Sequence, residues 1–237
     1  MTIGENINDV KIAVANRTGK TVDETRLSDP AIYRRLKDNR IYILREKRKK
    51  GRDFTSYDLM TLPCVELIEA NLSECPWLPT DGAIVLRTKY GLPRILEGMI
   101  HSVSNINYTD TYDYRSIEAL SDLRGGRFPT LIEGNIYTTQ NVNGEFHVYL
   151  LNDIHKDGVA IRLLPEDPLE VLEYPSCGKV INKECINPYD KEFPIDADLR
   201  KIIIEMTVDY FLVKATPLGD IKQNLTDDTA IQPNNIK

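Results

Sequence analysis

The stretch that most constrains the fold runs from Leu131 to Leu164, and it predicts three short β-strands. LIEGNIYTTQ is followed by Asn143-Gly144 and EFHVYLL, and then by Asp157-Gly158 and VAIRLL. Asn-Gly and Asp-Gly favour tight hairpins because both positions tolerate positive φ and the turn twist matches that of paired strands. Apolar residues alternate with polar ones in the second and third segments, so one face of the predicted sheet is apolar and must be buried against another element. The pattern predicts an antiparallel three-stranded meander.

Two helices are predicted before this β-rich region. Residues 2–16 begin with a capping box, in which the side chains of Thr2 and Glu5 satisfy backbone N–H groups of the first turn. Asp29-Pro30 opens a second helix, because Asp can cap the first turn and Pro needs no hydrogen-bond donor there. This second helix is expected to end near Gly51.

A long helix, LRKIIIEMTVDYFLVKA, is predicted near the end of the chain, with Asp196 or Asp198 as its cap and Pro217 after it. Residues 218–237 are polar and lack periodicity, which predicts an extended tail that is disordered when alone. Six side chains of the helix form its predicted apolar stripe: Leu199, Ile202, Ile203, Met206, Tyr210 and Val213.

These elements predict an α+β fold in which N- and C-terminal helices pack together and a central antiparallel β-rich part is inserted between them. Further strands are expected at 82–88 and 98–104, and 62–70 is either a strand or a short helix. The expected division is a helical part (1–60 and 195–216), a β-rich part (61–194) and a C-terminal tail (217–237).

The charge distribution is uneven along the chain. Arg34–Arg52 contains ten cations and two carboxylates, a local charge of +8, so the remainder carries −14 against a whole-chain charge of −6. One interpretation is a solvated helix end, since cations are favourable there by ~0.3–1 kcal/mol each. The other is a basic rim that faces DNA phosphates or an acidic partner. The candidate cluster for a channel or interface comprises Arg45, Lys47, Arg48, Lys49, Lys50 and Arg52.

Tyrosines are concentrated in the segment YTDTYDY, from Tyr108 to Tyr114. They predict either an edge strand with half-buried rings or a subunit contact, because tyrosine anchors interfaces at low entropic cost. The residues that we expect at a subunit interface come from this segment and from the tail: Tyr108, Tyr112, Tyr114, Leu218, Ile221 and Leu225.

Catalytic and metal-binding patterns are absent from the sequence. His101, His147 and His155 lack the motifs of hydrolases or metalloproteases, and Cys64 lies in an apolar run that favours an inert thiol. We therefore expect no enzyme activity, cofactor or metal. The start of the chain has no signal-peptide pattern, and no apolar run is long enough to span a membrane. Four cysteines match no zinc spacing, which favours free thiols in a reducing compartment: Cys64, Cys75, Cys177 and Cys185.

Three segments together resemble a known family. Leu62–Ile95 combines an apolar strand, a Cys-Pro loop, a strand ending in Arg-Thr-Lys and a Leu-Pro pair. Arg162–Val171 (RLLPEDPLEV) follows the meander, and Leu199–Val213 is the late helix. Over roughly Leu27–Val213 the chain is similar to virion neck ring proteins, or head-to-tail connectors (adaptors), of crAss-like short-tailed bacteriophages.

The resemblance implies a ring of identical subunits, usually twelve, that connects the capsid portal to the tail around the DNA ejection channel. It implies a virion protein that is assembled in the host bacterial cytoplasm and contacts the portal and other neck or tail rings, with no membrane partner. In similar adaptors a C-terminal extension reaches the portal. Two alternatives remain from the residues: a nucleic-acid-binding protein that uses the basic helix 34–52, and a hydrolase around His101 or His155.

Overall fold

Five α-helices and eight β-strands make up the described part of the chain, so the α+β class is confirmed. The computed structural model describes residues 1–71, 85–125, 135–151, 158–177 and 187–215. Two units are present. The helical unit contains Met1–Glu46, Tyr189–Glu192 and the described part of Ala197–Lys237, and the sheet unit contains Lys47–Pro188 and Phe193–Asp196.

The helices, numbered in chain order, are α1 (Ile3–Thr18), α2 (Asp29–Lys49), α3 (Ile117–Gly125), α4 (Pro168–Leu172) and α5 (Ala197–Ala215). The strands are β1 (Met60–Val65), β2 (Leu67–Glu69), β3 (Val85–Thr88), β4 (Ile95–Asn105), β5 (Thr111–Tyr114), β6 (Ile136–Val142), β7 (Glu145–Leu151) and β8 (Val159–Pro165). The predicted strands at 82–88 and 98–104 correspond to β3 and β4, with 82–84 outside the described residues. The 62–70 segment is β1 and β2.

The helix ends follow local sequence chemistry, with one correction. The capping box at α1 is confirmed: the N–H of Glu5 donates to Thr2 Oγ1 at 3.1 Å, and the N–H of Thr2 donates to Glu5 Oε2 at 2.7 Å. Asp29 is not a cap, because the first turn of α2 bonds to the carbonyl of Ser28. Asp29 is instead the first helical residue, and its carboxylate lies 2.5 Å from Lys11 Nζ.

The predicted end of α2 near Gly51 is confirmed. Gly51 has φ of 65°, and its N–H donates to the carbonyl of Arg48 at 2.8 Å. The N–H of Arg52 donates to the carbonyl of Lys47 at 3.1 Å. These two bonds satisfy carbonyls that a helix end would otherwise leave free, and glycine adopts the left-handed conformation without a Cβ penalty.

In the helical unit, polar contacts join α5 to the other two long helices. Arg200 of α5 donates from Nε to Asn6 Oδ1 at 2.6 Å and from Nη2 to Asp9 Oδ2 at 2.9 Å. Asn39 of α2 donates from Nδ2 to the buried Thr207 Oγ1 of α5 at 2.9 Å. The apolar side chains buried in this unit include Ile3, Ile7, Val10, Val14, Ile32, Tyr33, Leu36, Ile203, Val208 and Phe211.

The apolar stripe predicted for α5 is partly wrong. Ile203 is buried, but Ile202 and Val213 are exposed. The buried side of the helix instead continues through Thr207 and Phe211, which lie one and two turns after Ile203. Helix α5 carries apolar residues on more than one side, so its periodicity alone could not identify the buried face.

The strands form one eight-stranded sheet in the order β1-β8-β4-β5-β6-β7-β3-β2. Its two end strands, β1 and β2, are separated in the chain by Glu66 alone, so the sheet is nearly closed on itself. Six of the seven strand pairs are antiparallel, and β5–β6 is parallel. The prediction of a purely antiparallel β part is therefore wrong at this one pair.

Only the first hairpin of the predicted meander is present. β6 and β7 pair antiparallel through the turn at Asn143 and Gly144, which both have positive φ. β7 pairs on its other side with β3, whereas β8 pairs with β1 and β4, so the second hairpin prediction is wrong. Buried residues occupy both faces of β8, and the long-range partners β1 and β4 compete successfully with a local turn.

Gly158 is required by close packing instead of by a hairpin. Its φ is 109°, and a Cβ at this position would lie 2.7 Å from the carbonyl oxygen of Val65 and 2.9 Å from Cys177 Sγ. Any larger residue would have to displace the backbone of β1. Its neighbour in the predicted turn, Asp157, is outside the described residues.

The expectation of free thiols is wrong for two of the four cysteines. Cys64 of β1 and Cys177 after α4 form a disulfide with a Cα–Cα distance of 5.4 Å. The linked residues are 113 positions apart, so the bond connects distant parts of the sheet unit. Cys75 and Cys185 lie outside the described residues. Within the described ranges, no helix combines the length and apolar character needed to cross a bilayer.

Candidate interaction surfaces

The basic cluster at the end of α2 contains one cation that is buried in the sheet unit. Lys47 Nζ lies 2.7 Å from Asp58 Oδ2, and the two side chains are 11% and 0% exposed. The same carboxylate accepts the N–H of Thr55 at 2.9 Å and, at its other oxygen, the N–H of Asp196 at 3.3 Å. A buried carboxylate needs such partners because desolvation of a charge is costly. Lys47 therefore has a structural role.

A second cation of the cluster is paired on the surface. Arg48 forms a salt bridge with Glu97, and both side chains are exposed. Glu97 and Gly98 have positive φ and interrupt the regular pairing of β4 with β8. An exposed pair of this kind contributes little to stability, but it reduces the positive charge that Arg48 offers to another molecule.

Lys50 and Arg52 are the members of the cluster that remain exposed without an ion pair among the described residues. Arg45 and Lys49 are also exposed, and each makes further contacts within the chain. The predicted cluster is thus brought together by the helix end, but its six cations are not equivalent. Its charge is concentrated at Lys50 and Arg52.

A second basic region lies in the helical unit, where two arginines of the predicted run 34–52 meet a lysine of α5 that the sequence did not connect with them. A groove of about 580 Å³ is present between α2 and α5. Arg34 is exposed there, whereas Arg40, one helical turn further along from Leu36, is fully buried in the core. The groove is lined by Pro30, Ala31, Arg34, Arg35, Asp38, Tyr210, Phe211 and Lys214.

Tyr210 is the centre of this groove. The guanidinium carbon of Arg35 lies 4.1 Å from the ring centroid, and Lys214 Nζ lies 4.7 Å from it. The hydrogen bond from Lys214 lowers the pKa of the Tyr210 hydroxyl below its ordinary value. Arg35 Nε is buried and has no hydrogen-bond partner within the structure. The i, i+4 spacing of Tyr210 and Lys214 is the only sequence signal for this arrangement.

The predicted interface tyrosines divide into two groups. Tyr108 and Tyr114 are 59% and 54% exposed, whereas Tyr112 is 6% exposed and belongs to the core of the sheet unit. Burial in the core removes Tyr112 from the free surface of the chain. Tyr114 packs on Tyr137 with ring centroids 5.4 Å apart, and burial together with Tyr114 raises the pKa of Tyr137 to about 12. The tail residues Leu218, Ile221 and Leu225 lie outside the described residues.

The histidines and Cys64 form no catalytic arrangement among the described residues. His147 Nδ1 lies in the core, 3.0 Å from both the hydroxyl and the carbonyl oxygen of Thr88. His101 is exposed on β4, and His155 is outside the described residues. Cys64 is held in the disulfide. In the same described ranges, no group of His, Cys, Asp or Glu side chains is arranged to hold a metal ion.

Comparison with known proteins identifies the family of the chain. No curated protein matches the chain. The profile of phage tail ring protein 2 matches residues 10–229, which includes every strand of the sheet and most of α1. Because this match covers nearly the whole chain, the protein belongs to the phage tail ring protein 2 family of crAss-like phages and is a structural ring protein of the virion neck or tail.

Proposed function

We propose that this protein forms a closed ring in the virion neck that connects the capsid portal to the tail around the DNA ejection channel, and that it is not an enzyme. The family match over residues 10–229 carries the proposal. In the described part of the chain, the exposed polar and aromatic side chains are compatible with a connector. Assembly is proposed to take place in the host bacterial cytoplasm.

Twelve copies are proposed, in line with the family resemblance. A ring needs two different surfaces on each subunit that meet head to tail and close. The helical part (1–60 and 195–216), with its terminal helices packed together, supplies a natural element for side-by-side packing, and the β-rich part (61–194) is a separate part of each subunit. The hydrogen bonds of Arg200 in α5 with Asn6 and Asp9 in α1 support this packing.

The proposed partners are other copies of this chain, the portal protein and neighbouring neck or tail rings. The exposed rings of Tyr108 and Tyr114 are suited to an interface, because tyrosine combines a large contact area with low conformational entropy. Leu218, Ile221 and Leu225 are proposed as apolar contacts of the tail with a neighbour, and the tail as a whole as the segment that strengthens docking to the portal ring.

Contact with genomic DNA is proposed to be non-specific and weak. Lys50 and Arg52 are exposed and form no ion pair with the residues that the structure describes, whereas Lys47 and Arg48 have carboxylate partners. Few phosphate contacts are then available for counterion release, which dominates non-specific affinity. This division of charge favours a passive channel lining over the alternative function, a nucleic-acid-binding protein that acts through helix 34–52.

The first test is the native mass of the purified full-length protein at low and at high salt. A single closed species near twelve copies is the expected result, and its salt sensitivity reports how much of the assembly depends on charge. A species that remains monomeric at high concentration, both alone and with the portal ring present, would contradict the ring.

The DNA-lining proposal is tested with Lys50→Glu/Arg52→Glu in the assembled protein. Binding to duplex DNA is expected to be weak in the wild type, to fall with salt and to decrease further in this variant. The matched control is Lys20→Glu, because Lys20 is an exposed cation of the helical unit. Tight binding by isolated monomers, abolished by the same double substitution, would instead support the nucleic-acid-binding function.

The role of the tail is tested by ending the chain after Ala215, the last residue of α5. The truncated protein is expected to keep its circular dichroism spectrum and to dock more weakly on a purified portal ring. Unchanged affinity for the portal ring would remove the tail from the proposed connection, while leaving the ring itself intact.

A further inference from the structure

The groove between α2 and α5 concentrates positive charge that the helical unit does not neutralise. Arg34, Arg35 and Lys214 line it, and Asp38 is the one carboxylate among the lining residues. Neither Arg34 nor Arg35 forms an ion pair with another described residue, and Lys214 contacts the ring and hydroxyl of Tyr210. The groove therefore has a net positive charge beside an aromatic and apolar wall.

Arg35 is the groove cation whose guanidinium is held in place by an aromatic ring. Its guanidinium stacks on Tyr210 at 4.1 Å, while its Nε is buried without a hydrogen-bond acceptor. Stacking holds the planar group in place and leaves its N–H edge available for a carboxylate. Arg35 is only partly exposed, so the attraction between its charge and an arriving anion is screened less than at a fully solvated surface.

We propose that this groove binds the C-terminal tail of a second copy of the chain, through the segment Leu225–Ile231 (LTDDTAI). Asp227 and Asp228 supply two adjacent carboxylates for the cations of the groove. Leu225 and Ile231 supply apolar side chains for the wall that includes Pro30, Ala31 and Phe211. This inference rests on the proposed ring, because it identifies one contact between neighbouring subunits.

The length of the tail and the point where it leaves α5 are compatible with its binding to the groove of a second copy. Helix α5 ends at Ala215, one residue after the groove residue Lys214. Twelve residues then lead to Asp227, and an extended chain of that length reaches up to about 40 Å. Each copy thus has a groove and a tail that differ from each other, which is the kind of heterologous contact that closes a ring.

The experiment places a photo-cross-linking amino acid at Leu225 in the full-length protein. Unlabelled and ¹⁵N-labelled copies are mixed, assembled and irradiated, and the linked peptides are identified by mass spectrometry. The expected product joins Leu225 of one copy to residues 30–38 or 210–214 of another, with mixed isotope labels. Links with unmixed labels only would mean that the tail folds back on its own chain, and would overturn the proposal.

Exchanging the charges of the groove and the tail tests whether the cross-link depends on their ion pairs. Arg34→Glu/Arg35→Glu is expected to lower the yield of this cross-link at least tenfold, and Asp227→Arg/Asp228→Arg in the same chains is expected to restore it. Lys201→Glu is the control, because Lys201 is an exposed cation of α5 outside the groove. Should the groove variant misfold by circular dichroism, Asp227→Asn/Asp228→Asn provides the same loss without altering the helices.

The remaining outcomes separate this inference from the ring itself. An assembled ring whose cross-links fall outside the groove overturns the tail contact alone. A chain that never assembles overturns the proposed function and this contact together. A cross-link that excess duplex DNA abolishes, with DNA binding lost in Arg34→Glu/Arg35→Glu, would instead assign the groove to nucleic-acid phosphates.

Discussion

The helical unit and the sheet unit are held together by different kinds of link. In the sheet unit, Cys64 and Cys177 form a covalent link, and Lys47 and Asp58 form a buried ion pair. In the helical unit, the polar links between long helices include one buried hydrogen bond, the hydrogen bond of Arg200 with Asn6, and ion pairs at exposed or partly exposed side chains. The exposed large apolar side chains of the helical unit include Ile12, Val22, Tyr42, Ile202 and Val213.

This difference concerns which charges each unit pairs within itself. In the sheet unit, the buried carboxylate of Asp58 has a cation beside it, and the disulfide links two distant segments of the chain. In the helical unit, Arg34 and Arg35 form no ion pair with another described residue, and apolar side chains such as Ile202 and Val213 are exposed. The proposed groove contact between subunits uses this combination of charge and apolar surface, while the exposed rings of Tyr108 and Tyr114 offer an aromatic surface on the sheet unit.

The largest stability effect is expected from loss of the disulfide in the sheet unit. Cys64→Ser/Cys177→Ser should lower the free energy of unfolding by about 4–5 kcal/mol, because the bond closes a loop of 113 residues in the unfolded chain. Chemical denaturation monitored by tyrosine and tryptophan fluorescence measures it. Reductant should shift the wild type toward the variant and leave the variant unchanged. An unchanged wild-type midpoint in reductant would contradict the covalent closure.

The next effect is expected from the buried ion pair. Lys47→Met leaves Asp58 without its cation and should cost about 3 kcal/mol, since an unpaired buried carboxylate keeps its desolvation penalty. Lys50→Met is the matched control, because Lys50 is an exposed cation of the same helix end, and its effect should stay within about 0.5 kcal/mol. Equal effects of the two variants would remove the distinction between a structural and a free cation.

A smaller effect is expected in the helical unit at Asn39. Asn39→Ala removes the 2.9 Å bond to Thr207 and should cost about 1–2 kcal/mol, because one buried neutral hydrogen bond is lost. Asn16→Ala on exposed α1 surface is the control. A loss as large as that of Lys47→Met would show that the helical unit depends on buried polar links as strongly as the sheet unit does.

The smallest effect is expected at the exposed pair of Arg17 and Asp209, which joins α1 to α5 at 2.8 Å. Arg17→Ala should cost less than about 1 kcal/mol at low salt, and the difference from wild type should shrink as salt increases. Thermal unfolding at two salt concentrations measures it. A large, salt-independent loss would mean that the side chain acts through packing instead of charge.

Local sequence patterns predicted the parts of the fold that depend on neighbours in the chain. The capping box of Thr2 and Glu5, the helix end at Gly51 and the turn at Asn143-Gly144 all involve residues within a few positions of each other. The pairing of β8 with β1 and β4 involves strands far apart in sequence, so a local turn signal at Asp157-Gly158 gave the wrong partner.

For the candidate surfaces, the sequence predicted which residue types are present but not which of them are buried or paired. It located the run of cations between Arg34 and Arg52 but could not tell that Arg40 is buried or that Lys47 has a buried partner eleven residues away. It grouped three tyrosines, of which Tyr112 is in the core. The groove around Tyr210 was missed because the residues that line it come from two helices, α2 and α5, that are far apart in the sequence.

The sequence by itself determined the helix ends, one hairpin, the α+β composition, the family resemblance and the amount of charge, because each of these depends on local chemistry or on residue counts. The tertiary structure alone decided the strand order, the disulfide and which cations are free. The physical reason is that a charge or a thiol is defined by its neighbours in space. At Arg35, Lys47 and Cys64 those neighbours come from distant parts of the chain.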